Sequence, residues 1–185
     1  MEMLDIVDER GIPTGVIKER TKVHEDGDLH RTSHVWIVRD NNKSGKDILL
    51  QKRSKEKDSF PGCYDISSAG HITAGDDFLE SALRELKEEL GIDAQGDELI
   101  NCGVRKISMN SIFHGKEFND NQITTVYIMK GNNIHIDDLI LQEEEIESVM
   151  WIDFDECVEA VKKNRFKHCI YIEELEMIKE KFQVN

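Results

Sequence analysis

Leu79, Leu83, Leu86 and Leu90 recur at helical spacing, and this apolar edge predicts an amphipathic helix from Phe78 to Leu90. Asp77 followed by Glu80 is a capping-box pattern at its start, and Gly91 supplies the stop. Elsewhere the apolar runs are shorter and read as strands. Met3–Val7 and Val16–Glu19 flank the turn Gly11–Gly15 and predict a hairpin. Val35–Val38 and Ile48–Arg53 are separated by a polar connection, Asp40–Lys46. A turn at Ser59–Gly62 precedes a short strand from Tyr64 that runs toward Gly70. Leu99–Met109 and Gln122–Lys130 follow as strands, the second rich in β-branched and aromatic residues, with Asn110–Asn121 between them as a long polar loop suited to facing a substrate. Val149–Ile152 is a further strand. A second capping-box pattern, Asp153 with Glu156, opens a helix to Lys163, and a last helix over Lys167–Phe182 places Tyr171, Leu175, Ile178 and Phe182 on one face. Strands and helices mixed without strict alternation predict an α/β (α+β) fold.

The polar face of the first helix is chemically the more informative. Glu85, Glu88 and Glu89 stand at i, i+3 and i+4, so their carboxylates crowd the side turned away from the leucines. Each like-charge pair costs about 0.2–0.5 kcal/mol on an exposed helix. A divalent cation reverses that sign, because adjacent hard oxygen ligands are what Mg2+ takes, with waters and phosphate oxygens completing its shell. Arg84 is four residues from both Glu80 and Glu88 and is expected to pair with them. A solvated acidic face is the bland alternative.

Composition narrows the partners. With 34% charged and 38% hydrophobic residues, the 185-residue chain has the make-up of one globular domain. A net charge of -14 argues against a nucleic acid polymer as partner, and a small phosphorylated substrate fits better. Lys52, Arg53, Lys55 and Lys57 are the densest basic cluster and are candidates for meeting its phosphates. No apolar run is long enough to span a membrane, and the segment MEMLDIVDE lacks signal-peptide character, so a cytoplasmic location is expected. The four cysteines show no metal-type spacing and are expected as free thiols. The composition is compatible with a homodimer without demanding one. His24, His30 and His34 lie in one segment; they read either as metal ligands or as partly exposed loop and strand residues.

The stretch Gly70–Ile92 resembles the Nudix box, G-x5-E-x7-R-E-U-x-E-E-x-G-U, where U is a bulky aliphatic residue. Gly70, Arg84, Glu85, Leu86, Glu88, Glu89, Gly91 and Ile92 match, and Asp76 stands where the pattern has glutamate. The resemblance implies a Nudix-type α/β/α sandwich with a mixed β-sheet, one MutT-like domain over residues 1–185, and Mg2+ or Mn2+ as cofactor. It places the metal on Glu85, Glu88 and Glu89 with Gly70 and Asp76, and catalysis on Glu85, Glu88 and Arg84. The general base is left open between the helix and Glu143, Glu144 or Glu145.

Residues 4 to about 130, including Leu29–Val38, Gln51–Lys55 and Pro61–His71, are also similar to bacterial proteins related to type I isopentenyl-diphosphate isomerase. That relationship puts His24, His30 and His71 on the isomerase's histidine positions and implies a second metal site with Asp120. It also implies substrate contacts from Lys52, Arg53, His71 and Gln122. The isomerase's catalytic cysteine position is Ala69, which cannot shuttle a proton, and its glutamate segment aligns with Asp120–Gln122. The expectation is a metal-dependent hydrolase cleaving the diphosphate linkage of a nucleoside diphosphate derivative or related small organic diphosphate. The alternatives are an isomerase-like protein and a non-catalytic nucleotide- or metabolite-binding module.

Overall fold

The computed structural model describes residues 2–43 and 45–182. Met1, at the head of the MEMLDIVDE segment, and Ser44, inside the connection predicted over Asp40–Lys46, lie outside the described residues.

The chain runs β1 (Met3–Val7), β2 (Pro13–Glu19), α1 (Arg20–Asp26), β3 (Leu29–Asp40), β4 (Lys46–Arg53), β5 (Tyr64–Asp65), β6 (Ser68–His71), α2 (Phe78–Leu90), β7 (Leu99–Phe113), β8 (Lys116–Lys130), β9 (Ile146–Asp153), α3 (Phe154–Lys162) and α4 (Ile172–Lys181). β1 and β2 form the predicted hairpin. The main sheet has the order β5-β4-β3-β8-β7, with β6 on β3 and β9 on β4. It is mixed: β3 and β8 run parallel from Leu29↔Asn121 to Val38↔Lys130, and the other pairings are antiparallel.

β3 is the axis of the sheet and reads Val-Trp-Ile-Val at its centre because both faces are covered. Val35 and Ile37 pack with Leu49, Tyr127 and Met129 against Ala82, Leu86 and Leu90 of α2. Trp36 and Val38 pack with Ile48, Leu50, Val126 and Ile128 against Phe154, Cys157 and Val161 of α3 and Leu175 and Ile178 of α4. Helices therefore lie on both faces, the expected sandwich. One edge of β3 is shared: Val38–Asp40 pair with β4, and Thr32–Val35 pair with β6. Ser67 spans the point where the two part, accepting from the Ile37 amide at 2.8 Å and donating to the Leu49 carbonyl at 2.6 Å.

α2 has the predicted limits. Asp77 Oδ1 accepts from the Glu80 amide at 2.8 Å, and Gly91 closes the helix at φ 71°, where a Cβ would also meet Ile140 at 2.8 Å. Three expectations change. The segment Asn110–Asn121 is a pair of long strand arms turning at His114-Gly115, both at positive φ, rather than a loop. Its arms are polar because they are largely exposed, so composition imitates a loop. Thr21–His34 forms α1 and the start of β3, and its His24 and His30 are buried. The last helix starts at Ile172, because Lys167–Cys169 bonds in extended form to Tyr64: the Tyr64 amide donates to the Lys167 carbonyl at 2.8 Å and the Cys169 amide to the Tyr64 carbonyl at 3.0 Å. Cys63, Cys102, Cys157 and Cys169 are free thiols. Among the described residues no helix is long and apolar enough to cross a membrane.

Burial along α2 differs between leucines that the sequence pattern treats alike. Leu86 is fully buried and Leu83 only partly. Leu86→Ala is expected to destabilise the fold by about 2–5 kcal/mol and Leu83→Ala by clearly less, as measured by denaturant unfolding.

Candidate active site and metal centres

A cavity of about 450 Å3 opens between α2, β6, the N-terminal half of β3, the β7–β8 arms and the segment leading into α4. α2 reaches it with Glu85, Glu88 and Glu89, and the first and last of these are turned into the protein instead of toward bulk water. Glu89 is buried and receives the Ala69 amide at 3.3 Å. Burial pushes its pKa up to about 8, with the charge of Glu85 adding to the effect. Glu85 is raised too, by burial that Arg84 partly offsets. Glu88 lies exposed at the rim.

Gly70 explains how the helix can sit so close. A Cβ built there would fall 2.2 Å from the Glu85 carboxyl carbon and 2.4 Å from Oε1, so only glycine leaves room for this side chain against β6. The same closeness exposes the β6 backbone to whatever the carboxylates hold. Three clustered carboxylates, two of them with raised pKa, beside a strand stripped of its side chain fit a hard divalent cation.

Arg84 does not pair with Glu80 or Glu88. Its Nη1 donates to Asp76 Oδ2 at 2.8 Å and its Nη2 to Glu85 Oε1 at 3.0 Å and to the His71 carbonyl at 3.3 Å. The guanidinium thus ties helix to strand, because α2 lies against β6 and brings nearer acceptors than its own next turn. Asp76 is outside the cavity lining and is committed to Arg84. Its shorter side chain serves as an anchor for the arginine.

Of the basic cluster, Arg53 and Lys57 line the cavity and Lys52 does not. Lys52 Nζ points to Glu147 at 2.8 Å on the far edge of β4. Arg53 bonds Asp65 at 3.1 Å and the Ser59 carbonyl at 2.9 Å, and Lys57 pairs with Glu145. Of the three glutamates in the acidic run, only Glu145 lines the cavity. Gln122 lines it as well, with its amide orientation fixed: Nε2 donates to Asp120 Oδ2 at 2.5 Å, and Oε1 accepts from Thr32 at 3.0 Å.

His24, His30 and His71 come together with ligating atoms within 4.8 Å of one another. Asp120 Oδ1 lies 3.7 Å from His24 Nδ1 and 3.5 Å from His30 Nε2, and all three of these atoms are buried without a hydrogen-bond partner. Burial lowers the pKa of each histidine: His24 to about 3, helped by the charges of His30 and Arg20, and His71 well below its ordinary value. The rings are therefore neutral, the form that ligates metals. His30 Nδ1 lies 3.0 Å from the Asp28 carbonyl, which places the proton there and leaves the Nε2 lone pair facing Asp120. Orphaned donors and acceptors converging on one point fit a cation better than they fit a packed core.

Of the three histidines read together in the sequence, His34 on β3 lines this cavity apart from the cluster of the other two with His71, and sequence reasoning passed over its partner Glu174 on α4, a fully buried carboxylate that also lines the cavity. Glu174 lies 140 residues from His34, in a helix whose acidic positions otherwise look like solvated surface, so no local pattern marks it.

Comparison with known proteins agrees with this geometry. The NUDIX domain family matches residues 29–172. A Nudix hydrolase from Arabidopsis thaliana (Nudix hydrolase 3) is 41% identical over 158 residues, covering 84% of this chain but only 20% of that much longer protein. An uncharacterised Nudix hydrolase from Clostridium acetobutylicum is 41% identical over 157 residues, 84% of this chain and 71% of that one. An isopentenyl-diphosphate Delta-isomerase from Pectobacterium atrosepticum is 37% identical over 87 residues, 47% of this chain and 46% of the isomerase. In fold, a crystal structure from Deinococcus radiodurans superposes with a TM-score of 0.67 at 18% identity, covering 95% of this chain and 98% of that one. The carboxylate helix on its glycine strand, a family match across most of the chain and relatives at 41% identity make this protein a member of the Nudix hydrolase family.

Proposed function

We propose that residues 1–185 act as one Nudix domain that hydrolyses the diphosphate linkage of a nucleoside diphosphate derivative or related small organic diphosphate, with Mg2+ or Mn2+ as cofactor. The observation that carries the reading is the buried carboxylate Glu89, raised to a pKa of about 8 at the edge of a polar cavity, beside a Glu85 that packs over Gly70. A group this unfavourable to ionise has its natural counter-charge in a cation.

Glu85, Glu88 and Glu89 would hold the cation, with the Gly70 carbonyl adjoining. When bound, it neutralises diphosphate charge and acidifies water. The chain's own residues supply the rest. Arg84 fixes Glu85 by a direct ion pair and anchors it to the His71 carbonyl and Asp76, so the carboxylate geometry is set before substrate arrives. Glu85, Glu88 and Glu145 are the cavity-lining carboxylates available to accept a proton from the attacking water. Arg53 and Lys57 give one wall positive charge for the phosphates. The histidine cluster with Asp120 is proposed as a second site for a transition ion such as Mn2+ or Zn2+, in keeping with its mixed nitrogen and oxygen donors. Isomerase chemistry has less support, since Ala69 offers no proton-transfer group.

Phosphate release from a panel of nucleoside diphosphate derivatives and small organic diphosphates with Mg2+ tests the reading directly. Turnover is expected, and a thermal shift without turnover points instead to a binding module. Glu89→Gln is expected to stay folded while turnover falls by about a hundred-fold or more.

A pH test isolates the same carboxylate. Between its ordinary value of 4.5 and about 8, folded Glu89 keeps a proton that the unfolded chain releases, so this group's contribution to stability falls as pH rises through that window. In chelator, Glu89→Gln should therefore gain melting temperature relative to wild type at pH 8 and gain little at pH 5. Magnesium should raise the wild-type melting temperature more at pH 8 than at pH 6, because it displaces the proton. In the Glu89→Gln background, Mn2+ or Zn2+ should still raise the melting temperature, and adding His30→Gln should remove that response.

A further inference from the structure

Four Lys and Arg side chains line the cavity: Arg20, Arg53, Lys57 and Arg84. All four are already engaged: Arg20 with Glu2, Arg53 with Asp65, Lys57 with Glu145, and Arg84 with Asp76 and Glu85. His24 and His71, on the same wall, are held neutral by burial. A polyanionic ligand entering this cavity therefore meets cations whose charge is already shared with a protein carboxylate.

His34 is paired too, but through only one of its two ring nitrogens. On β3 it shares a face with His30, Thr32 and Trp36, and its Nδ1 lies 2.9 and 3.1 Å from the two oxygens of Glu174. The Glu174 carboxylate also accepts from Trp36 Nε1 at 3.1 Å and Arg105 Nη1 at 3.1 Å, and Arg105 in turn stacks 4.6 Å over Tyr171. Three donors from two strands leave the carboxylate no other orientation, so the imidazole plane is fixed as well. Nδ1 carries the proton of that bond. Nε2 makes no hydrogen bond among the described residues, is not sealed from solvent, and belongs to a side chain that lines the cavity.

The position is equally specific. His34 pairs in register with Ala69 on β6, and register partners project side by side from the same face. The Ala69 amide is the group that touches Glu89. His34 thus stands one strand away from the carboxylate site, next to a methyl group small enough to leave its free nitrogen accessible. Burial opposes a charge on His34, but the charge and hydrogen bond of Glu174, aided by Asp65, outweigh it even with Arg105 close by, so the ring's pKa is raised.

We propose that His34 is a substrate-contacting residue of this enzyme, donating its Nε2–H to a phosphoryl oxygen of the diphosphate, with Glu174 as its positioning residue. The proposal rests on the diphosphate-hydrolase reading above and adds to it a cavity-lining ring nitrogen that has no hydrogen-bond partner among the described residues and whose ring plane is fixed by Glu174.

The experiment follows the histidine ring signals of the full chain by proton–nitrogen NMR during titration with inorganic pyrophosphate and Mg2+, His34 being assigned by its absence in His34→Gln. The His34 Nε2 signals are expected to shift on binding. With the substrate turned over fastest in the panel, His34→Gln should raise KM about ten- to hundred-fold, the range for losing one charged hydrogen bond, with a smaller change in kcat. Glu174→Gln should move KM in the same direction by less. An unchanged far-UV circular dichroism spectrum and a cooperative melting transition in both variants separate loss of contact from loss of fold. If pyrophosphate raises the melting temperature and wild type turns over, yet the His34 signals stay still or KM is unchanged in His34→Gln, the proposal is overturned and the hydrolase reading stands. If wild type neither binds pyrophosphate nor releases phosphate from any panel member, both fall together.

Discussion

The structure depends on a close approach between a carboxylate-bearing helix and a strand that has no side chain at the point of contact. Gly70 lets Glu85 lie where a Cβ would be, and this brings Glu89 in behind β6, where the Ala69 amide meets it. Water is largely excluded there, so the carboxylates lose the solvation that makes their crowding tolerable on an exposed helix. Arg84 answers part of that cost by bridging Glu85, Asp76 and the His71 carbonyl. The remaining cost falls on Glu89, whose ionisation is opposed by burial and by the charge of Glu85. The leucine face of the same helix, buried against Val35, Ile37 and Tyr127, anchors the arrangement by ordinary apolar packing.

β3 distributes the chemistry around this contact. Its odd-numbered central residues pack toward α2 and its even-numbered ones toward α3 and α4, and toward its N-terminal end the even face passes from core into cavity. His30, Thr32 and His34 therefore stand in a row along one strand face, two residues apart, each with a different partner: Asp28 and Asp120, Gln122, and Glu174. Environment alone sets their states. His30 is buried among other imidazoles and is neutral, whereas His34 faces a buried carboxylate and has a raised pKa. The cavity wall thus offers histidines whose protonation is opposed at one place and favoured at another, built from the same residue type.

The long β7–β8 arms and the extended Lys167–Cys169 segment complete the enclosure. Phe118 stacks on His24, and Asp120 is presented to the histidines from β8, while the segment before α4 adds Cys169, Ile170 and Tyr171 to the lining. Both features come from backbone pairing whose partners lie elsewhere in the chain or on a neighbouring arm, which is why polar composition and helical periodicity misread them. The His114-Gly115 turn was the one local mark of the hairpin, a dipeptide suited to two successive positive φ values.

By itself the sequence determined what is local and periodic. The limits and cap of α2, the clustering of Glu85, Glu88 and Glu89, the alternation of apolar strands, and the box residues that name the family all follow from spacings within a few turns or pleats. Tertiary structure decided which partner each charged group meets. Arg84 turned to Asp76 and Glu85, Lys52 turned away from the cavity to Glu147, Gln122 was oriented by Thr32 and Asp120, and Glu174 came from α4 to meet His34. The reason is physical: periodicity sets the face on which a side chain emerges, but electrostatic partners and burial depend on distances between segments that only the packed sheet and its helices establish.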